Sequence, residues 1–257
     1  MHVILCDSAA EVAVAAADLV TRRVRRGPAV LGLATGGTPQ PAYRELIRRH
    51  REEGLSFAGA TAFTLDEYVG LASEHTQSYR ATILRDFVSH VDLPVERLRT
   101  PRGDAPDPAA EAQRYEESIT AAGGVDLQIL GLGTNGHIGF NEPGSSLSSR
   151  TTVRALTRQT RADNSRFFNH GEEVPRLCLT QGLGTISAAR EIVLLAVGSG
   201  KARAVRDMVE GPVSARCPAS VLQFHPHTTV LLDREAAAEL EYLEDYRDAA
   251  RLLREQS

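Results

Sequence analysis

Four residues of this chain have side chains suited to moving protons and spacings that let them act together. His137 follows a run of glycines in "GLGTNGHIGFNEPG" (Gly131 to Gly144), Glu142 lies five positions later, and Asn135 and Asn141 stand beside them. A histidine is the side chain best matched to proton transfer near neutral pH, and a nearby carboxylate fixes its tautomer and supports its charge. A lone loop histidine is usually a surface or turn residue, but the glycines around this one permit close approach. Asp66, followed by Glu67, ends the strand-like run "ATAFTLDE". A carboxylate at the C-terminal edge of a sheet is placed to act as a general base, although an Asp-Glu pair there also serves as a solvated or capping pair.

The glycines Gly131, Gly133 and Gly136 spell G-x-G-x-x-G after the apolar run "VDLQIL", the start of a dinucleotide-binding turn. That reading fails on its continuation. Pro143 and Gly144 interrupt the chain where an amphipathic helix is needed, and "TTVRALTRQTR" offers no acidic residue about 20 positions on.

Three further stretches suit an anion. In "LGLATGGTP", Thr35, Gly36, Gly37 and Thr38 form a turn between a strand and a helix predicted to begin at Pro39, where free N–H groups and the positive helix end meet. A tight turn using glycine for geometry alone is the plainer reading. Lys201, in "VGSGKARAV", follows a strand in the same way, and Arg166, in "ADNSRFF", lies in a polar stretch able to close over a phosphate. "HPH" (His225 to His227) has no matching ligand cluster, so no metal is expected.

These residues need a scaffold that brings strand ends together. Apolar strand-like runs (His2–Cys6, Ala29–Ala34, Ala60–Glu67, Val125–Leu132, Glu191–Gly198 and Thr228–Asp233) alternate with helical patterns at Ala9–Arg26, Pro39–Glu53, Gln77–Val91 and Glu235 to about Glu255. The rhythm predicts an α/β fold: a three-layer, mostly parallel sheet with helices on both faces, modified Rossmann-like. One domain is expected over residues 1–257. The stretch Thr157–Gln181 lacks periodicity and reads equally as a lid or as a surface excursion.

A formal net charge of -4 argues against nucleic acid, and no run approaches the roughly 20 apolar residues of a membrane span. Three scattered cysteines, Cys6, Cys178 and Cys217, fit a reduced, cytoplasmic setting.

The segments "LATGGTP", "FTLDEYVGL", "SYR", "GLGTNGHIGFNEPGSS", "SRT", "TRADNSRFF" and "GSGKA", in order from about residue 30 to residue 233, resemble the glucosamine-6-phosphate deaminase family. The resemblance implies conversion of glucosamine 6-phosphate and water to fructose 6-phosphate and ammonia, with no organic cofactor and a small sugar phosphate as the ligand. It implies that His137 and Glu142 open the ring, that Asp66 moves a proton from C2 to C1, and that Thr35–Thr38, Arg166 and Lys201 hold the phosphate. Some members carry Asp where this chain has Asn135. Hexameric members bind N-acetylglucosamine 6-phosphate between subunits; here Ser145 matches, but Thr152 and Ala155 replace a basic and a hydroxyl residue, so activation is expected to be weak or absent. The sequence leaves a homo-oligomer open. A non-catalytic sugar-phosphate sensor is the rival of another class, though a first strand at about His2 leaves no room for a helix-turn-helix. A 6-phosphogluconolactonase or a galactosamine-6-phosphate deaminase is the nearer rival.

Overall fold

A computed structural model describes residues 1–168 and 172–254. In chain order the first half comprises β1 (His2–Leu5), α1 (Ala9–Arg25), β2 (Ala29–Leu33), α2 (Gln40–Glu53), β3 (Ala60–Thr64), β4 (Asp66–Tyr68), α3 (Tyr79–Asp86), β5 (Leu98–Arg99), α4 (Pro108–Ala121) and β6 (Leu127–Gly131). The second half adds β7 (Thr152–Ala155), α5 (Arg158–Asn164), β8 (Leu177–Thr180), α6 (Leu183–Ile186), β9 (Glu191–Ala196), α7 (Ala202–Val209), β10 (Thr228–Leu232) and α8 (Leu243–Arg254).

Local chemistry sets most boundaries. Helix α1 starts at Ser8, whose hydroxyl accepts from Glu11 N–H at 3.2 Å, and buries Val12, Ala13, Ala16, Ala17, Val20 and Val24 at helical spacing. Helix α2 stops at Gly54, which takes the left-handed conformation at φ 68°. Helix α3 is shorter than its predicted span because the backbone breaks at Phe87, whose buried ring stacks on Tyr43 at 5.1 Å and meets Phe57 edge-on at 5.2 Å. Helix α8 begins well after Glu235. The Asp233 carboxylate takes Ala236 N–H at 2.8 Å and the Glu210 carboxylate takes the N–H groups of Glu241 and Tyr242, so a tight turn replaces the first predicted turns. Its predicted end at Glu255 lies outside the described residues.

The seven-stranded main sheet runs β1-β10-β9-β6-β2-β3-β5, and every pair in it is parallel. From β2 the chain moves outward through β3 to β5, then returns to lay β6 on the other side of β2 and moves outward again through β9 and β10. The order therefore reverses between β2 and β6, and open α/β sheets bind ligands in the crevice beyond the C-terminal ends at such a point. The loops carrying Thr35–Thr38 and His137 leave β2 and β6, respectively.

Two predicted features are corrected. Asp66 and Glu67 do not extend β3: the chain leaves the main sheet at Leu65, and Asp66–Tyr68 pairs antiparallel with β8 in a second sheet of order β4-β8-β7. The stretch Thr157–Gln181 is not irregular, since it contains α5, a 3-10 turn at Ser165–Phe167 and the buried end of β8; Asn169, His170 and Gly171 lie outside the described residues. Its polar face hides the periodicity because so little of it faces the core.

The junction between the sheets is held by Gln181. Its N–H donates to Leu65 O at 2.8 Å and its side-chain amide to Thr64 O at 2.9 Å, while the Tyr115 hydroxyl also donates to Thr64 O at 2.7 Å. Gln181→Leu keeps the volume and removes one buried donor; it should lower unfolding stability in urea by about 1–2 kcal/mol. An unchanged midpoint would remove the amide from this account.

Candidate active site

The β6–β7 connection is shaped around its histidine. A Cβ on Gly133 would lie 2.3 Å from His137 Cε1, so only glycine leaves the ring its place, and Gly133 N–H donates to His137 O at 2.9 Å. Asn135 joins the two ionisable groups. Its Nδ2 donates to Glu142 Oε2 at 2.7 Å, which directs its Oδ1 toward His137, where it receives the backbone N–H at 3.2 Å and faces Nδ1 at 2.7 Å. An acceptor at that distance requires the hydrogen on Nδ1, leaving Nε2 as the basic nitrogen. Glu142 Oε2 is itself 3.5 Å from Nδ1, close enough to support charge but too far for a good hydrogen bond.

Glu142 is buried, which pushes its carboxyl up, but His137, the Thr160 hydroxyl and the Asn135 amide outweigh this and hold it at about 2. Thr160 donates directly to Oε1, with the Thr157 hydroxyl 3.3 Å from the same oxygen.

The remainder of the loop hangs on the end of β8. Phe140 N–H donates to Thr180 Oγ1 at 3.1 Å, and the Asn141 side chain donates to Gln181 O at 2.8 Å and Ile138 O at 3.0 Å. This brings the loop over Asp66: a Cβ on Gly139 would come within 3.6 Å of Asp66 Oδ2, and Gly139 holds φ 55°. Asp66 is 6% exposed, and no described residue is seen to hydrogen-bond its carboxyl group. Burial, reinforced by the Glu67 charge, raises its pKa well above the ordinary carboxylate range. Such a group is a stronger base than a solvated aspartate, with lone pairs not committed elsewhere.

Glu67 faces another way. Its carboxylate takes the N–H groups of Tyr68, Tyr79 and Arg80 at 2.9, 3.0 and 3.1 Å, the last two at the start of α3. Burial pushes it up to about 7 despite those three bonds. Of the Asp-Glu pair, then, one member caps a helix and the other faces the His137 loop.

The residues expected from the sequence to meet an anion follow strands of the main sheet or lie on the segment after β7. Thr35 and Thr38 are half-buried, Gly36 and Gly37 are exposed, and Gly36 holds φ 99°. The turn is pinned by Tyr43, whose hydroxyl donates to Ala34 O at 2.7 Å and accepts Ala34 N–H at 3.1 Å. Pro39 caps α2 and Gln40 opens it, one position later than predicted, with no side-chain cap and no acidic residue in the first turn. Lys201 follows β9 and precedes α7. Burial lowers its pKa, Asp163 raises it and Arg166 lowers it, so the end of α5 and the turn after it lie within electrostatic reach of Lys201. No hydrogen bond among the described residues links the Thr35–Thr38 turn to the His137 loop; what they share is the switch point. His225 is structural, its Nε2 donating to Ala189 O at 2.8 Å and its Nδ1 accepting His227 N–H at 3.2 Å.

Residues 4–231 match the family described as glucosamine-6-phosphate isomerases/6-phosphogluconolactonase. The chain belongs to this family. Within it, the chain is 55% identical over 249 residues to a glucosamine-6-phosphate deaminase of Rhodococcus jostii (97% of this chain, 96% of that one) and 58% identical over 246 residues to one of Corynebacterium aurimucosum (96% of each). A solved structure described as a monomeric glucosamine-6-phosphate deaminase superposes with a TM-score of 0.90 at 45% identity, covering 93% of this chain and all of that one. A 6-phosphogluconolactonase from Trypanosoma cruzi shares the fold at TM-score 0.74 and 20% identity, over 93% of this chain and 97% of that one.

Of the sequence-predicted residues, Asn135, His137 and Glu142 form one hydrogen-bonded group with Asp66 beside their loop. Thr157 and Thr160 were missed; the signal for the first is a threonine three positions before another at the start of a helix, the N-cap spacing. A carboxyl group held low in the fold stabilises it above its unfolded value, an effect lost as pH falls. Glu142→Gln should therefore flatten the acid side of the stability curve: the wild type's advantage should shrink by roughly 2–3 kcal/mol as pH drops from 4.5 to about 2. Urea unfolding of both proteins across that range checks it, and parallel curves would contradict it.

Proposed function

We propose that this chain converts glucosamine 6-phosphate and water to fructose 6-phosphate and ammonia. The observation that carries this reading is the meeting of two unlike proton carriers: a buried carboxyl on β4, Asp66, to which no described residue is seen to hydrogen-bond, beneath the loop that holds a tautomer-fixed imidazole at His137. The relatives named as deaminases, matched along nearly their whole length, support it.

His137 Nε2 takes the proton of the sugar's C1 hydroxyl and returns it to the ring oxygen, opening the pyranose. Glu142 steadies the transient imidazolium. Asp66 then removes the C2 proton while the substrate's ammonium group gives a proton to O1, leaving a neutral enolamine; Asp66 delivers its proton to C1, forming a protonated imine at C2, where water adds and ammonia leaves. The substrate's ammonium group supplies the positive charge that Asp66 lacks in the free protein, favouring its ionised form once substrate is bound. The phosphate rests against the Thr35–Thr38 turn and the open start of α2, and Lys201 and Arg166 meet it from the other side, with α5 and the turn after it serving as a lid.

Incubating the chelator-treated protein with glucosamine 6-phosphate should release fructose 6-phosphate and ammonia in equal amounts, and Asp66→Asn should lower kcat by at least about a hundredfold. Product from Asp66→Asn at the wild-type rate would remove Asp66 as the base at C2; hydrolysis of 6-phosphogluconolactone at equal rates by wild type and Asp66→Asn, with no fructose 6-phosphate formed, would favour the lactonase reading, since lactone hydrolysis needs no base at C2. Neither product from wild type, with the sugar phosphate still bound, would favour a sensor.

We further propose that the enzyme runs without an effector. Ser145 is buried and donates its hydroxyl to Glu142 O at 2.7 Å. Thr152 lies on the edge strand β7, facing a groove of about 310 Å³ against α4 that presents Glu116 and Glu117, and the groove's Arg150 is already paired with Glu116. A phosphate monoester there would meet carboxylates first. Rate curves should be hyperbolic and unmoved by N-acetylglucosamine 6-phosphate; a sigmoidal curve straightened by that compound would overturn this.

A further inference from the structure

We infer that Thr160 is a positioning residue: carried on α5, its hydroxyl holds Glu142 in the orientation that serves Asn135 and His137. The inference rests on the reading of those residues as the ring-opening group.

The two oxygens of Glu142 have separate duties. Oε2 takes the Asn135 amide at 2.7 Å and faces His137, whereas Oε1 is turned to α5, where Thr160 donates to it. Thr160 is buried, and a second hydroxyl backs it, since Thr157 Oγ1 donates to Thr160 Oγ1 at 2.9 Å. Hydroxyls in series polarise one another, so the final bond to the carboxylate is the strongest of the chain. Thr157 is also the cap of α5, accepting Thr160 N–H at 3.1 Å, so both hydroxyls are fixed by one helical turn. The far end of α5 is tied down separately: Asn164 donates to the Tyr68 hydroxyl at 2.9 Å, and the Phe168 ring meets Tyr68 at 5.6 Å. Rotation of Glu142 away from Asn135 would break the Thr160 bond first. The carboxylate thus points correctly only while α5 is seated.

Among the described residues, the titratable groups that interact with Glu142 are His137 on its own loop and the Cys178 thiol from β8, which burial, ahead of the Asp66 and Glu142 charges, keeps neutral. Thr160→Val keeps the shape and removes the hydroxyl, and Thr160→Ser restores it. Without the hydroxyl, the carboxylate loses a donor and should bind its proton at higher pH. In Thr160→Val, kcat should fall about tenfold, KM should stay within about twofold, and the acid limb of the pH–rate profile should move upward. Thr160→Ser should return all three toward wild type. Carbon-13 NMR of the Glu142 carboxyl, followed against pH without substrate, should show its midpoint raised in Thr160→Val. If the valine variant does not fold, Thr160→Ala carries the same expectations. An unmoved Glu142 titration, or a serine variant as impaired as the valine one, overturns the proposal. The titration needs no turnover, so a wild type that releases no fructose 6-phosphate would sink the functional reading while leaving Thr160 to be judged separately.

Discussion

Two hydrogen bonds from Gln181 to the carbonyls of Thr64 and Leu65 decide where the chain leaves one sheet and enters another. With these carbonyls claimed by the end of β8, the backbone turns, and Asp66 is carried off the main sheet and under the His137 loop. The same strand end supplies Thr180 and Gln181 O, from which Phe140 and Asn141 hang. One strand end therefore sets both the carboxyl group and the loop that faces it.

Six strands of the main sheet were legible because they read as apolar runs, from "AVLGL" in β2 to "EIVLLA" in β9, whereas the edge strand β5, two residues with Arg99 exposed, was not. The small sheet was not, because β4 and β7 are short and β7 is half-exposed, leaving no pattern longer than four residues. Helix α4 carries its signal in an Asp107-Pro108 start that the apolar rhythm did not pick out. At the site, residue types were readable and partnerships were not. His137, Glu142 and Asp66 stand out as chemistry-bearing side chains, but that Glu67 turns to α3 while Asp66 faces the loop depends on which sheet each residue joins. Thr160 was invisible for the same reason: a threonine near a helix start is ordinary until its hydroxyl is found on a buried carboxylate.

The two ends of the site rest on different layers. The Thr35–Thr38 turn and Lys201 extend from strands of the parallel sheet, while Asp66 sits on β4 and α5 is joined to that second sheet through Tyr68. On the proposed reading, phosphate recognition is thus built on the seven-stranded parallel sheet, and proton transfer on the three-stranded sheet with its helical cover. Burial does different work at each carboxyl group. Asp66 is raised because burial and the Glu67 charge disfavour its ionised form, and Glu142 is lowered because His137, Thr160 and Asn135 outweigh its burial.

Asn135 gives the relay a direction. An amide standing between imidazole and carboxylate passes on polarity but not a proton, and at 3.5 Å the carboxylate is too distant to take one directly. A proton acquired by His137 at Nε2 has no exit through the back of the ring. In the proposed reaction it would leave by the face at which it arrived, which would make the histidine a reversible shuttle on the substrate side and Glu142 a fixed counter-charge.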